Sequence, residues 1–160
     1  GELGGRTVAY VGDANNVARS LAIGAGLSGM NFRIASPAGY GFSDRDADRI
    51  ATAGVRIEVL ERPEEAVAGA DAVYADTWTS MGQEAEAEQR RRAFEGFQVD
   101  ERLMELASAD AIFLHCLPAH RNEEVTEAVL DGPRSRVWSQ ATNRMHAARG
   151  AMAWLMQERG

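Results

Sequence analysis

Thr7-Val8-Ala9-Tyr10-Val11-Gly12-Asp13-Ala14-Asn15-Asn16 is the stretch that decides the fold. A run suited to a buried strand stops at a glycine, and the polar residues after it suit a helix cap. The pattern predicts a strand over Thr7–Val11, a cap at Asn15 or Asn16, and a helix over 17–25. The same alternation recurs downstream. Strands are expected at 32–35, 55–60, Ala72–Ala75 and 111–114, with Val137-Trp138 as a short last strand. Helices are expected at 44–53, 63–68, 84–94, 100–107, 122–130 and 143–156, with Ser43 or Asp44 capping the first and Pro63 in the first turn of the second.

Strands alternating with helices predict a Rossmann-like, three-layer α/β fold. It consists of a mostly parallel sheet of about five strands with helices on both faces. The 160 residues fit a single domain, 1–160. Ligands in such sheets sit beyond the carboxyl ends of the strands. That rule selects three loops: residues 12–16, residues 76–82, and His115-Cys116-Leu117-Pro118.

A formal charge of −7 argues against nucleic acid as a partner, because phosphate binding wants a basic face. No apolar run is long enough to span a membrane. One cysteine, Cys116, excludes an internal disulfide and fits a reducing, cytoplasmic compartment. Glu84, Glu86 and Glu88 precede Arg90-Arg91-Arg92 at spacings that allow ion pairs along a helix, which reads as a solvated face.

Gly24-Ala25-Gly26-Leu27-Ser28-Gly29 has the spacing of a dinucleotide fingerprint but the wrong context. It closes a helix, whereas the fingerprint follows a strand and opens one. A nicotinamide cofactor is therefore not expected, nor any other cofactor.

Each candidate site residue also has a plain structural reading. One Asn of the Asn15-Asn16 pair suffices as a cap, leaving the other free for a ligand. Asp76, at the end of an apolar strand, suits a ligand ammonium group or braces its own loop. Cys116 is a buried structural thiol or a contact at the site; His115, Cys116 and His120 offer no zinc spacing, so no metal is expected. His115 is a catalytic imidazole or a packing residue. Arg144, read as lying near the start of the last helix, gains nothing from the helix dipole and so suits an external anion, or is simply a surface arginine.

Together these loops resemble the second domain of the ornithine carbamoyltransferases, over residues 3–155. Gly12-Asp13-Ala14-Asn15-Asn16 is similar to the family's G-D-x-N-N. Asp76-Thr77-Trp78-Thr79-Ser80-Met81-Gly82-Gln83-Glu84 is similar to its D-x-W-x-S-M-G-Q-E, and His115-Cys116-Leu117-Pro118 to its H-C-L-P. Asn143-Arg144 resembles its E-N-R, with Thr142 where Glu is usual.

The resemblance implies roles. Asn16, Asp76, Ser80 and Met81 would bind the α-amino and α-carboxylate end of ornithine. Cys116 and Asp76 would serve the attacking δ-amine, Cys116 and Leu117 would lie near the carbamoyl group, and Arg144 would help bind carbamoyl phosphate. It also implies a cytoplasmic place in arginine biosynthesis and a homotrimer formed through a first domain. That domain's S-T-R-T-R-type phosphate loop and H-P-x-Q motif do not occur here, so the 160 residues alone are expected to be inactive. The stripe Met145, Ala148, Met152, Leu155 and Met156 is then expected to be partly exposed. Two other readings stay open: a stand-alone amino-acid-binding or interaction domain, and a carbamoyltransferase for another amine such as putrescine. A nicotinamide dehydrogenase is more distant.

Overall fold

The structure, a computed structural model, describes residues 2–79, 82 and 84–157. Its sheet has five strands: β1 (Thr7–Val11), β2 (Asn31–Ala35), β3 (Ile57–Leu60), β4 (Ala72–Ala75) and β5 (Ile112–His115). All pair in parallel in the order β3-β2-β1-β4-β5. The helices are α1 (Asn16–Leu27), α2 (Asp44–Thr52), α3 (Pro63–Val67), α4 (Ala87–Ala93), α5 (Glu101–Leu106), α6 (Glu127–Leu130) and α7 (Val137–Gln157).

Alternation along the strands makes two cores, one per face. Ala9, Val11, Val73 and Phe113 cluster with Val67 of α3, Leu103 and Met104 of α5, and Leu130 of α6. Val8, Tyr10, Phe32 and Ile34 point the other way, onto Ala18, Ala22 and Ala25 of α1 and Ile50 of α2. Burying a side chain the size of Phe113 contributes about 1.5–3 kcal/mol. The alanine stripe lets α1 lie close to the sheet, and Gly26 continues that close contact. A Cβ on Gly26 would run into the methyls of Val55, which explains the glycine without any phosphate.

The chain grows outward from β1 to β3, then crosses back to add β4 and β5. The loops after β1 and β4 therefore diverge, and a crevice opens between them at the carboxyl edge of the sheet.

Four expectations change. Val137 and Trp138 begin α7 and form no strand. Edge pairing with β5 occurs just before them, where the Phe113 N–H bonds Arg134 O and the Arg136 N–H bonds Phe113 O, both at 2.9 Å. Arg144 thus sits two turns inside α7, not near its start. Within the expected helix 122–130, only Glu127–Leu130 is α-helical. Asn122 adopts φ 65°, reversing the chain so that Val125 bridges Val99 and Arg121. The segment 84–94 opens with a 3-10 turn, Glu84–Glu86, before α4. Its ion pairs form, Arg92 with Glu88 and Arg90 with Glu86, yet Arg90 is buried and does not belong to a solvated face.

Candidate functional site

Asp76 is the hub of the crevice. It lies directly after β4 and is only 7% exposed. Its Oδ2 accepts from Asn15 Nδ2 at 2.7 Å; its Oδ1 accepts from the Thr77 N–H at 2.8 Å and from the Cys116 thiol at 2.8 Å. One carboxyl group thus ties together the loops after β1, β4 and β5. A carboxylate offers about four lone-pair sites, so these three bonds leave capacity for a ligand donor.

The two asparagines divide the work. Asn15 caps α1, its side-chain oxygen accepting from the N–H groups of Val17 at 2.8 Å and Ala18 at 3.2 Å. That fixes its amide so that the nitrogen faces Asp76. Asn16, the first residue of α1, is exposed and lines the cleft.

Cys116 follows β5 and is half-buried. Burial, and the adjacent Asp76 carboxyl, push its thiol up to about 12. At neutral pH it is a thiol and not a thiolate, so it donates to Asp76 and is a poor nucleophile. Burial also raises Tyr74 and Tyr10, and each sits near both Cys116 and Asp76. The Leu117–Pro118 peptide is cis.

His115 is buried at 1% exposure and does not line the cleft. Its Nδ1 accepts from the Leu117 N–H at 2.9 Å, which leaves the proton on Nε2, 3.2 Å from Oε1 of the fully buried Glu124. That oxygen also accepts from the His120 N–H at 2.6 Å. The imidazole shapes the loop that carries Cys116 and Leu117. Among the described residues, His120, Glu123 and Glu124 offer ligand atoms within 4.8 Å of one another, the one grouping that could hold a metal ion. Glu123 there is paired with Arg91 at 3.1 Å.

The cleft has a volume of about 840 Å³. Asn16, Asp76, Cys116 and Leu117 line it, joined by Gln140 and Arg144 from α7. Arg144 is exposed, with Nη1 3.4 Å from the Cys116 carbonyl oxygen, so its guanidinium stands at the rim. Ser80 and Met81 lie outside the described residues.

Two contributors were missed in the sequence. Arg90 donates to Asp13 Oδ2 at 2.7 Å and to the Trp78 carbonyl at 3.0 Å, and lies over the Tyr40 ring at 5.0 Å. It clamps the loop after β4 to the loop after β1. Its signal was faint: within an arginine triplet it alone stands four residues before the buried Phe94, on the same helix face. Gln140 bonds the His115 N–H at 3.0 Å and the Tyr74 hydroxyl at 3.0 Å, docking the start of α7 against β4 and β5. Nothing in its spacing marked it.

Residues 4–155 match the family model described as aspartate/ornithine carbamoyltransferase, Asp/Orn binding domain. The chain is 49% identical to the ornithine carbamoyltransferase of Acidothermus cellulolyticus, covering 100% of this chain and 53% of that protein. It is 52% identical to that of Symbiobacterium thermophilum, covering 98% and 52%. Among solved structures, ornithine carbamoyltransferase from Pyrococcus furiosus superposes with a TM-score of 0.86 at 47% identity, over 94% of this chain and 50% of that one. The anabolic ornithine carbamoyltransferase from Campylobacter jejuni superposes with a TM-score of 0.89 at 34% identity, over 98% of this chain and 54% of that one. The chain spans about half the length of the curated relatives it matches.

Proposed function

The chain belongs to the aspartate/ornithine carbamoyltransferase family as its Asp/Orn-binding domain, and we propose that it forms the L-ornithine half of an ornithine carbamoyltransferase site. The observation that carries this reading is the junction at Asp76, where the loops after β1, β4 and β5 meet in one cleft.

In this proposal Asn16 and Asp76 take the α-amino and α-carboxylate end of L-ornithine, Asp76 through its remaining acceptor capacity for an ammonium group. Ser80 and Met81 complete that grip. The δ-amine then points toward Cys116. An alkyl ammonium has a pKa of about 10.4 and must lose a proton before it attacks. The proton passes to bulk water, and the pair Cys116–Asp76 receives the neutral amine: with its own proton held on Asp76, the Cys116 sulfur is free to accept from the amine N–H. Attack on the carbamoyl carbon gives a tetrahedral species, which collapses to citrulline and phosphate. Arg144 at the rim binds the phosphate end of carbamoyl phosphate, and the backbone of Cys116 and Leu117 meets the carbamoyl group. Holding both substrates in line supplies much of the rate.

The proposal extends to the setting. The remaining half of the relatives' length supplies the main phosphate-binding loop, so these 160 residues alone make no citrulline. The assembled enzyme is a cytoplasmic homotrimer in arginine biosynthesis. Among the described residues no helix is long and apolar enough to cross a membrane. Met145, Met152, Leu155 and Met156 of α7 are each more than half exposed, which suits a helix that packs on the other half.

The test is citrulline production from L-ornithine and carbamoyl phosphate by the protein that carries this chain, with putrescine as the competing acceptor. L-ornithine is expected to be carbamoylated and putrescine ignored. Preference for putrescine, or no transfer to either, refutes the reading.

A further inference from the structure

Asn15 touches both residues assigned to the amino-acid grip: it precedes Asn16 in the chain and donates to Asp76 Oδ2 at 2.7 Å. Its own orientation is fixed from the other side. The side-chain oxygen accepts from the Val17 N–H at 2.8 Å, the Ala18 N–H at 3.2 Å and the Tyr10 hydroxyl at 3.5 Å. A backbone N–H only donates, so that atom is the oxygen and the amide nitrogen is turned to Asp76. Capping alone does not explain the residue type. Asn, Asp and Ser cap helices about equally well, each through an oxygen. Of the three, Asn alone carries an N–H donor on the opposite arm of the same rigid group. Here that donor meets a carboxyl that is 7% exposed.

We propose that Asn15 is a positioning residue: its amide pins the Asp76 carboxyl in the cleft, so that one helix cap aligns Asp76 with Asn16. Asp76 is held at both oxygens. Oδ1 accepts from the Thr77 N–H and the Cys116 thiol, both at 2.8 Å, and Asn15 is the donor that the described residues place on Oδ2. The terminal torsion of an aspartate is broad, so donors on one oxygen leave the other able to swing. Asn15 removes that freedom with a charge-assisted bond. It does so from the end of α1, which is anchored on the sheet through Ala18, Ala22 and Ala25. The same cap starts the helix at Asn16 and so sets where that side chain enters the cleft. Asn15 itself does not line the cleft, whereas Asn16 and Asp76 do. It acts on a ligand through them.

That the aligned pair holds L-ornithine rests on the proposed function. That Asn15 holds Asp76 does not, and the experiment reads the two apart. Amide hydrogen exchange would be followed, without any ligand, in the unaltered chain, Asn15→Ser and Asn15→Ala. The Thr77 amide reports on Asp76, and the Val17 and Ala18 amides report on the cap. Asn15→Ser keeps a capping oxygen and loses the amide donor. It is expected to speed Thr77 exchange by roughly tenfold and to leave Val17 and Ala18 nearly unchanged, while Asn15→Ala speeds all three. An unchanged Thr77 in Asn15→Ser overturns the inference. So does an equal speeding of all three amides in that variant, which would mark the cap alone. The second readout is binding of L-ornithine and of δ-aminovalerate, which lacks the α-amino group. Asn15→Ser is expected to weaken L-ornithine binding by roughly tenfold and to leave δ-aminovalerate unmoved. Unchanged L-ornithine affinity, or equal weakening of both ligands, overturns the alignment. If the unaltered chain binds L-ornithine no better than δ-aminovalerate, the proposed function fails, and Thr77 exchange still decides whether Asn15 holds Asp76.

Discussion

Arg90 and Asp13, 77 residues apart, form a charge pair at 2.7 Å that is nearly closed to solvent. Arg90 also donates to the Trp78 carbonyl, so one guanidinium holds the loops after β1 and β4 in register. Desolvation opposes the charge on Arg90, and its bonds to Asp13 and Glu86 more than offset that.

Arg90→Met is expected to destabilise the fold by about 3 kcal/mol, because it strands a half-buried carboxyl without its partner. Urea unfolding of the two chains measures this. A shift in the unfolding midpoint too small to resolve would mean that the loops are held by their other contacts.

Asp76→Asn is expected to lower the Cys116 thiol from about 12, since both the hydrogen bond to Asp76 and its negative charge raise it. Alkylation at pH 8 should then quicken by roughly threefold or more, as the thiolate fraction grows. A pH–rate profile that matches the unaltered chain would show that burial alone sets the thiol.

Asp71 gives an acid-sensitive contribution at the opposite, amino edge of the sheet. The Thr7 N–H at 2.9 Å and Arg6 at 2.6 Å hold its carboxyl below the usual value of about 3.9. A depressed native pKa stabilises the fold above the unfolded-chain value, and that contribution disappears as pH falls through the native one. Asp71→Asn is therefore expected to lower the urea midpoint at pH 7 and to leave it nearly unchanged at pH 2. An equal loss at both pH values would point to packing instead of charge.

Local patterning made most of the fold legible. β1 and β4 are unbroken apolar runs bounded by turn residues, and both occupy the residues read from the sequence. Ser43 and Asp100 cap α2 and α5 for the reason such residues usually do, by accepting from a first-turn N–H. What escaped was tertiary. Val137 is apolar enough for a strand, but the neighbouring edge of β5 is already taken by residues 134–136. Residues 122–126 have helical composition, yet Val125 completes a bridge to Val99 that the helix would forbid. Arg90 looks like its neighbours Arg91 and Arg92, and only the pocket made by Asp13, Tyr40 and Trp78 sets it apart.

At the site, the loop positions followed from the topology of a parallel sheet, while the division of labour did not. Two adjacent asparagines could each have capped α1; the geometry assigns Asn15 to the cap and leaves Asn16 in the cleft. By sequence His115 suits either a catalyst or a packing residue, and its burial against Glu124 places it behind the cleft wall. Gln140 reaches the site from a distant helix, which no local pattern reveals.

The most direct measurement is an NMR titration of the chain with L-ornithine, following backbone amides, which registers even weak binding. Saturable shifts are predicted at Asn15, Asn16, Thr77, Cys116 and Leu117 along one common curve, with putrescine causing none. Shifts confined to one of the three loops, or equal shifts with putrescine, would contradict a shared amino-acid cleft.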